Sequence, residues 1–376
     1  MESYLTAEIS ASAVSENLSL LRQRLSPAAK LCAVVKADAY GHGLKVLLPV
    51  ISAGADALAV ATPQEAIALR QAGYERPLLM FFSACAYSDG PELRDALREL
   101  IARSVTLTVV NVSEVEAVAE AAAQARAKAR VHVKIDTGMN RSGTPLADAT
   151  NVVNAVRRAE GVQLAGLYTH FASADEDDKT FTRRQLDRFR AAVDDSGGRS
   201  GLTLHAANSA ATIDLPETHL DMVRPGIAVY GYQPSDDIHT KLPLRPCLRL
   251  WGRLMQIKEV PAGARCGYGL TYRFDRPARL GLVPVGYGDG YPRALSNAAV
   301  MRLGERELPV RGRVSMDQTI VELTDAPEAR IGDAVEIISD RPEAPNSVAN
   351  LAKLAGTIPY EVTCRLGRRV RRVLVD

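Results

Sequence analysis

Five basic or imidazole side chains stand where short apolar runs of this chain stop. Lys36 closes "LCAVVK" and is followed at once by a turn holding Gly41 and Gly43. Arg141 lies in "IDTGMNRSG", behind "RVHVKI". His170 follows "VQLAGLY", His205 lies in "LTLHA" just ahead of Asn208 and Ser209, and Arg224 closes "DMVR". Lysine is seldom buried without a partner. A desolvated lysine amine loses its proton more easily and attacks aldehydes to form Schiff bases. Each residue alone has an ordinary reading: a solvated lysine, a hydrogen-bonded core histidine, an arginine paired with Asp221. Five such residues at five strand ends ask for a common explanation.

The elements that carry them alternate. Apolar or β-branched runs recur at 31–36, 57–61, 78–82, 105–110, 130–135, 162–168, 202–206 and 221–224, with helical stretches between most of them. "TPQEAIALRQAG" has Thr62 as N-cap, Pro63 behind it, Glu65 at the third helical position and Gly73 as a stop. "SEVEAVAEAAAQARAKA" repeats the pattern, with Ser113 as cap and Glu116 three residues on. Eight strands alternating with helices in about 230 residues predict a parallel (β/α)8 barrel. A doubly wound open sheet is the alternative, but "KADAYGHG" lacks its G-x-G-x-x-G fingerprint. In a barrel all five residues meet at the C-terminal ends of the strands, the face that carries catalysis. Beyond residue 240 the pattern becomes short β segments split by Gly and Pro, with one helix near "NSVANLAKLAG". The reading is an α/β barrel over 1–238 and a mostly-β domain over 239–376. The opening "YLTAEI" has a strand pattern, and residues 1–10 are a candidate extra strand of the second domain.

Composition excludes several classes. Lys plus Arg number 46 against 44 Asp plus Glu, a net charge of +2, so nothing points to nucleic acid or an anionic membrane. The basic "RLGRRVRRV" alternates with Leu and Val and reads as a terminal strand. The five cysteines form no C-x-x-C pair, and the six histidines form no H-x-x-x-H pair, so no metal site is expected. No signal peptide or membrane span is evident, and a reduced, cytoplasmic chain is expected.

Ser209 is placed to open a helix, and Gly226 and Ile227 offer backbone N–H groups after the eighth strand. Loops after barrel strands seven and eight are a frequent phosphate cradle. A lysine beside a phosphate cradle suggests pyridoxal phosphate, an aldehyde cofactor that serves as an electron sink. The motifs "AVVKADAYGHG", "KIDTGMNRSG", "THFASAD", "HAANSAA", "MVRPGIAVYG", "CGYGLTY", "VGYGDGYPR", "GRVSMDQ" and "PYEV" resemble those of the bacterial alanine racemases, in the same order and over nearly the whole chain.

That resemblance implies a fold-type III pyridoxal-phosphate enzyme, a homodimer with shared active sites, interconverting L- and D-alanine for peptidoglycan. It implies that Lys36 holds the cofactor and is one base, with Tyr268 of the other subunit the second. Tyr40, Ser209, Gly226, Ile227 and Tyr360 would bind the phosphate, with Asn208 beside them. Arg224 would face the pyridine nitrogen, and His170 would lie against the ring. Arg141 would meet the phenolic oxygen and the substrate carboxylate. His205 would continue a hydrogen-bonded chain with His170 and Arg224. Met316 would offer its backbone N–H to the carboxylate, with Asp317 beside it and Tyr287 near the pocket. Lys134 matches a lysine that is often carbamylated. Asp175, Arg293 and Arg313 match the channel that leads substrate in. Ser315 departs from the cysteine common there. Racemases of another small amino acid such as serine, and fold-type III decarboxylases, are the alternatives; Tyr268 and Arg224 stand against the latter.

Overall fold

The computed structural model describes residues 4–85 and 91–376. Eight parallel strands, Lys30–Val34, Ala57–Val60, Leu78–Ser83, Thr106–Val109, Ala129–Asp136, Val162–Tyr168, Thr203–His205 and Met222–Val223, form one sheet. It closes where Met222 and Val223 pair in parallel with Lys30 and Leu31. Strands covered on both faces by barrel core and helices read as continuous apolar runs, as "LCAV" and "ALAV" do. The sheet is the closed barrel expected, and the alternative open sheet is not formed.

The helix Pro63–Gln71 starts as its sequence predicts. Glu65 N donates to Thr62 Oγ1 at 3.2 Å, and Thr62 N donates to Glu65 Oε2 at 3.1 Å. The cap of the Ala-rich helix lies two residues earlier than expected. The helix spans Val112–Ala125, and Asn111 Oδ1 takes the Glu114 N–H at 2.9 Å. Ser113 donates its hydroxyl to the same Asn111 oxygen at 2.8 Å. The helix buries Val115, Val118, Ala121 and Ala122.

The second domain is built on a six-stranded sheet, ordered Arg306–Pro309, Val300–Leu303, Ala334–Ile338, Leu248–Arg253, Leu5–Ser10, Arg371–Val375. The N-terminal strand joins it, antiparallel to Leu248–Arg253 and parallel to Arg371–Val375. A three-stranded sheet adds Gln256–Val260, Ala278–Val283 and Thr319–Glu322. A two-stranded ribbon, Arg265–Cys266 with Tyr272–Arg273, presents Tyr268 near its tip. Two helices are present rather than the single one expected: Val348–Ala355, and Pro359–Cys364 formed by "PYEVTC". Ile358 leads into the second, and Pro359 pre-sets its first turn.

One continuous apolar core runs through both domains, from Leu31 and Val60 in the barrel to Leu250, Val283 and Leu351. The seam is also pinned by polar contacts. Fully buried Asn17 accepts from Arg245 N at 2.8 Å and donates to Arg245 O at 2.8 Å and Val229 O at 3.3 Å. Among the described residues no helix is long and apolar enough to cross a membrane.

Candidate active site

Lys36 leaves the first barrel strand into a left-handed turn. Ala37, Asp38, Ala39 and Tyr40 all have φ between 53° and 55°. Side chains with a Cβ pay roughly 1–2 kcal/mol each in this region, so four in a row store several kcal/mol. Neighbours hold the turn. Glu65 Oε1 accepts from Ala37 N at 2.6 Å, and Asp38 Oδ1 accepts from Leu44 N at 2.7 Å. His42 stacks on Tyr230 with centroids 4.6 Å apart. Arg372, on the terminal strand, donates to Gly41 O from Nη2 at 2.9 Å and Nε at 3.2 Å. Gly41 has φ 82°, and a Cβ there would lie 2.0 Å from Thr363 O. The turn carries Tyr40 back toward the eighth strand, where a Cβ on Gly226 would sit 2.2 Å from Tyr40 Oη.

A cavity of ≈ 570 Å³ opens at the C-terminal ends of the barrel strands. Its wall includes Lys36, Tyr40, Lys134, Arg141, His170, Asn208, Ser209, Arg224, Gly226, Ile227 and Tyr360. At one end Asn208 caps the helix Ser209–Asp214 by accepting from Ala211 N at 3.0 Å. Ser209 Oγ accepts from Gly226 N at 2.8 Å, which ties this helix start to the short 3-10 helix Ile227–Tyr230. Tyr40 stands 5.2 Å from Tyr230 and 6.0 Å from Tyr360, ring centre to ring centre. At the fifth strand, Asp136 Oδ1 collects three N–H groups, from Gly138, Met139 and Asn140, and so fixes the loop that presents Arg141.

Arg224 is 3% exposed and makes no pair with Asp221, which instead binds Arg199 at 2.5 Å. Its Nη2 donates to Thr169 O at 2.8 Å and Ala206 O at 3.0 Å, with His170 Nδ1 at 3.4 Å. Its Nη1 donates to His205 Nδ1 at 2.8 Å. His205 Nε2 lies 2.7 Å from His132 Nδ1. The chain expected to join His205 with His170 and Arg224 thus branches at Arg224 and goes on to His132. Tyr168 stacks on His205 at 4.7 Å and carries the Arg224 guanidinium over its face at 5.3 Å.

Among the described residues, the cavity wall holds four cations, Lys36, Lys134, Arg141 and Arg224, and no carboxylate. Burial and Arg141 lower the Lys36 pKa. Burial, Arg141 and Arg224 bring Lys134 down to about 8. Burial and the surrounding cations, Arg224 foremost, hold His170 neutral, and burial and Arg224 do the same for His205. Arg224 is lowered to about 10 by burial and keeps its charge at neutral pH. Such a wall suits a ligand carrying several negative charges. Its lysine amines are poised to act as nucleophile or base.

The remaining expected residues stand apart. Tyr268, Tyr287, Arg293, Arg313, Met316 and Asp317 all belong to the β domain, and none lines the cavity. They are neighbours of one another. A Cβ on Gly267 would lie 3.0 Å from Arg313 N, Ser296 Oγ in the Arg293 turn accepts from Val314 N at 3.0 Å, and Tyr287 N donates to Ser315 O at 3.0 Å. Asp317 binds Arg369 at 2.6 Å, and Arg369 also binds buried Asp289 at 3.0 Å. Tyr268 is 71% and Met316 53% exposed. Asp175 lies on the barrel side, near enough to Tyr360 to raise its pKa further.

Residues not singled out from the sequence also line the cavity: Phe81, Phe82, Tyr168, Ser142 and Cys364. Strand alternation carries the signal for two of the missed side chains. His132 is two residues before Lys134, and Tyr168 two before His170. Cys364 follows Tyr360 by one helical turn.

Comparison with known proteins agrees with this architecture. Residues 9–234 match the family "Alanine racemase, N-terminal domain", and residues 247–374 match "Alanine racemase, C-terminal domain". The chain is 40% identical over 374 residues to an alanine racemase of Desulfovibrio desulfuricans, covering 98% of each protein. It is 38% identical over 372 residues to one of Halothermothrix orenii, covering 97% of this chain and 95% of that protein. The crystal structure of alanine racemase from the D-cycloserine-producing Streptomyces lavendulae superposes with a TM-score of 0.92 at 36% identity, covering 100% of this chain and 98% of that one. That of Streptomyces coelicolor gives 0.91 at 38% identity, covering 99% and 98%. With both domain models matched in order and full-length relatives of one kind, this enzyme belongs to the alanine racemase family.

Proposed function

We propose that the chain interconverts L- and D-alanine with pyridoxal phosphate, in a homodimer whose two active sites each draw on both subunits. The observation that carries the reading is the wall of four cations, without a carboxylate among the described residues, and with a lysine of lowered pKa at the end of the first strand. The cofactor's phosphate and phenolic oxygen and the substrate's carboxylate are the anions such a wall would take. When bound, pyridoxal phosphate withdraws electrons from the α-carbon of an amino acid and loosens its α-proton.

The residues divide the work. Tyr40, Ser209, Tyr360 and the N–H groups of Gly226 and Ile227 would hold the phosphate, beside Asn208. Arg224 would face the ring nitrogen. A guanidinium donates hydrogen bonds but does not readily surrender its proton, so that nitrogen would stay unprotonated. His170 would support the ring, and His205 would hold Arg224 in position. Arg141 would orient the substrate carboxylate, together with Met316 N–H from the partner subunit. Lys36 Nζ would anchor the cofactor and carry a proton on one face of the α-carbon. Tyr268 Oη of the partner subunit would carry one on the other. The exposure of Tyr268 and its absence from the cavity of its own chain support a site completed between subunits. Asp175, Arg293 and Arg313 would then meet at the mouth, with Tyr287 and Asp317 backing the partner's face.

Lys134 fits carbamylation. With its pKa near 8, a neutral amine can add to carbon dioxide, forming an N–C bond and releasing one proton. The resulting anion would partner Arg141. A product of D-alanine for peptidoglycan and a cytoplasmic location follow the family resemblance. The test is incubation of the purified, cofactor-loaded enzyme with L-alanine, L-serine and L-lysine, followed by chiral separation. D-Alanine should form fastest; no turnover of alanine would overturn the reading.

A further inference from the structure

The hydrogen-bonded chain below Arg224 does not end inside the barrel. Arg224 Nη1 can only donate, so His205 Nδ1 accepts and its proton sits on Nε2. His205 Nε2 then donates to His132 Nδ1, which places the remaining imidazole proton on His132 Nε2. His132 is 6% exposed, and no protein group among the described residues accepts from that nitrogen. The ring lines a second cavity, of ≈ 300 Å³, at the N-terminal ends of the barrel strands. That nitrogen opens onto the cavity rather than being sealed in protein, so whatever occupies the cavity supplies its acceptor.

The rim says what kind of acceptor. Lys30, Arg76 and Arg130 line the cavity, and Lys30 and Arg130 make no ion pair among the described residues. Asp56, the one carboxylate lining it among the described residues, is already taken by Arg22 at 2.6 Å and by Leu31 N at 2.7 Å. Its lining mixes small residues, Ala57, Thr106 and Thr203, with Leu78, Leu79 and Met222. Gly166 leaves room for the His132 ring, since a Cβ there would come within 2.8 Å of Cε1.

We infer that this lower cavity is a binding site for a small oxyanion, which accepts from His132 Nε2–H and is neutralised by Lys30, Arg76 and Arg130. The site lies at the opposite end of the barrel from the catalytic cavity and reports to it through His205. An anion on His132 makes Nδ1 a stronger acceptor, which in turn strengthens His205 as the acceptor for Arg224. It does not depend on which amino acid the enzyme turns over.

The experiment uses the cofactor-loaded enzyme labelled with 15N-histidine, titrated with sodium sulfate at pH 7.5 and constant ionic strength. The His132 resonances, assigned with His132→Gln, should shift saturably, and those of His205 should follow with a smaller shift at the same midpoint. Arg130→Met and Lys30→Met lie on the exposed rim, so they leave the core intact. Each should weaken sulfate binding by about tenfold, the worth of one charge-assisted bond. His132 signals that stay fixed as sulfate rises would mean the cavity holds solvent only and overturn the site. A shift of equal midpoint in Arg130→Met and Lys30→Met would also overturn it, because the response would then be one of general ionic strength.

Discussion

The barrel mouth and the exposed face of the β domain are built on opposite terms. The mouth is enclosed: Arg224 is buried, the left-handed turn is clamped by Glu65, Asp38 and Arg372, and Ser209 locks two helix starts together. The β-domain face presents Tyr268 at the end of a two-stranded ribbon, with Met316 and Tyr287 also exposed. Large apolar and aromatic side chains left uncovered in one cluster mark a surface that meets something else. The first region has its chemistry arranged by its own fold. The second keeps its side chains for another chain, on the reading proposed above.

Substitutions should separate the two regions. Lys36→Ala and Tyr268→Phe should both cut kcat, Tyr268→Phe by about 10²–10⁴-fold, the span of a lost acid–base group. Only Lys36→Ala should also abolish cofactor absorbance in the purified protein, since Tyr268 does not line the cavity of its own chain. Equal cofactor loss in both would erase the distinction. Gly41→Ala tests the clamp. Its Cβ would collide with Thr363 O, and the change should cost about 3 kcal/mol or more in urea denaturation. Arg265→Ala, on the exposed ribbon, should fall within about 0.5 kcal/mol of the parent.

Acid should attack the barrel first. All six histidines precede residue 240. Burial lowers His132 to about 3 and His42 to about 4, and it also lowers His170 and His205. The unfolded chain, with histidines near 6.5, binds protons before the folded one. Stability is therefore complete above about pH 6.5 and falls below it, by up to about 1.4 kcal/mol per pH unit for each histidine. Amide exchange at pH 5 should accelerate in the barrel strands before the Leu248–Arg253 strand; the reverse order would contradict this.

Lys134 gives a subtler pH effect at higher pH. Below about pH 8 it is mostly an ammonium and cannot add to carbon dioxide. A 13C-carbonate label should therefore yield a carbamate signal that grows from pH 7 to 9 and is missing in Lys134→Met. A small stabilising effect is expected at Ala37→Gly. Relief of the positive φ outweighs the extra unfolded-state entropy by at most about 1 kcal/mol. The denaturation midpoint should rise slightly.

Much of this organisation is legible in the chain. Continuous apolar runs and helix caps gave the barrel, because each is a local pattern enforced by burial on two faces. The side chains that meet at the mouth follow from strand ends sharing one face. What was not legible depends on contacts far apart in sequence. The four-residue left-handed turn has no local signature in "ADAY"; it exists because Glu65 and the terminal strand hold it. The shift of the helix cap from Ser113 to Asn111 was a choice between two good caps, and Asn111 holds both the Glu114 N–H and the Ser113 hydroxyl. The Pro359–Cys364 helix is too short to announce itself by periodicity. His132 was readable from its two-residue spacing to Lys134, but only once the strand's inward face was fixed.

The most direct test of the account mixes two inactive proteins. Lys36→Ala and Tyr268→Phe are unfolded together, refolded at equal concentration and assayed for alanine racemisation. If each site takes Lys36 from one subunit and Tyr268 from the other, half the dimers are mixed, and each of these holds one intact site. Activity should return to about a quarter of the parent enzyme. Activity no higher than that of the separate variants would contradict a shared site.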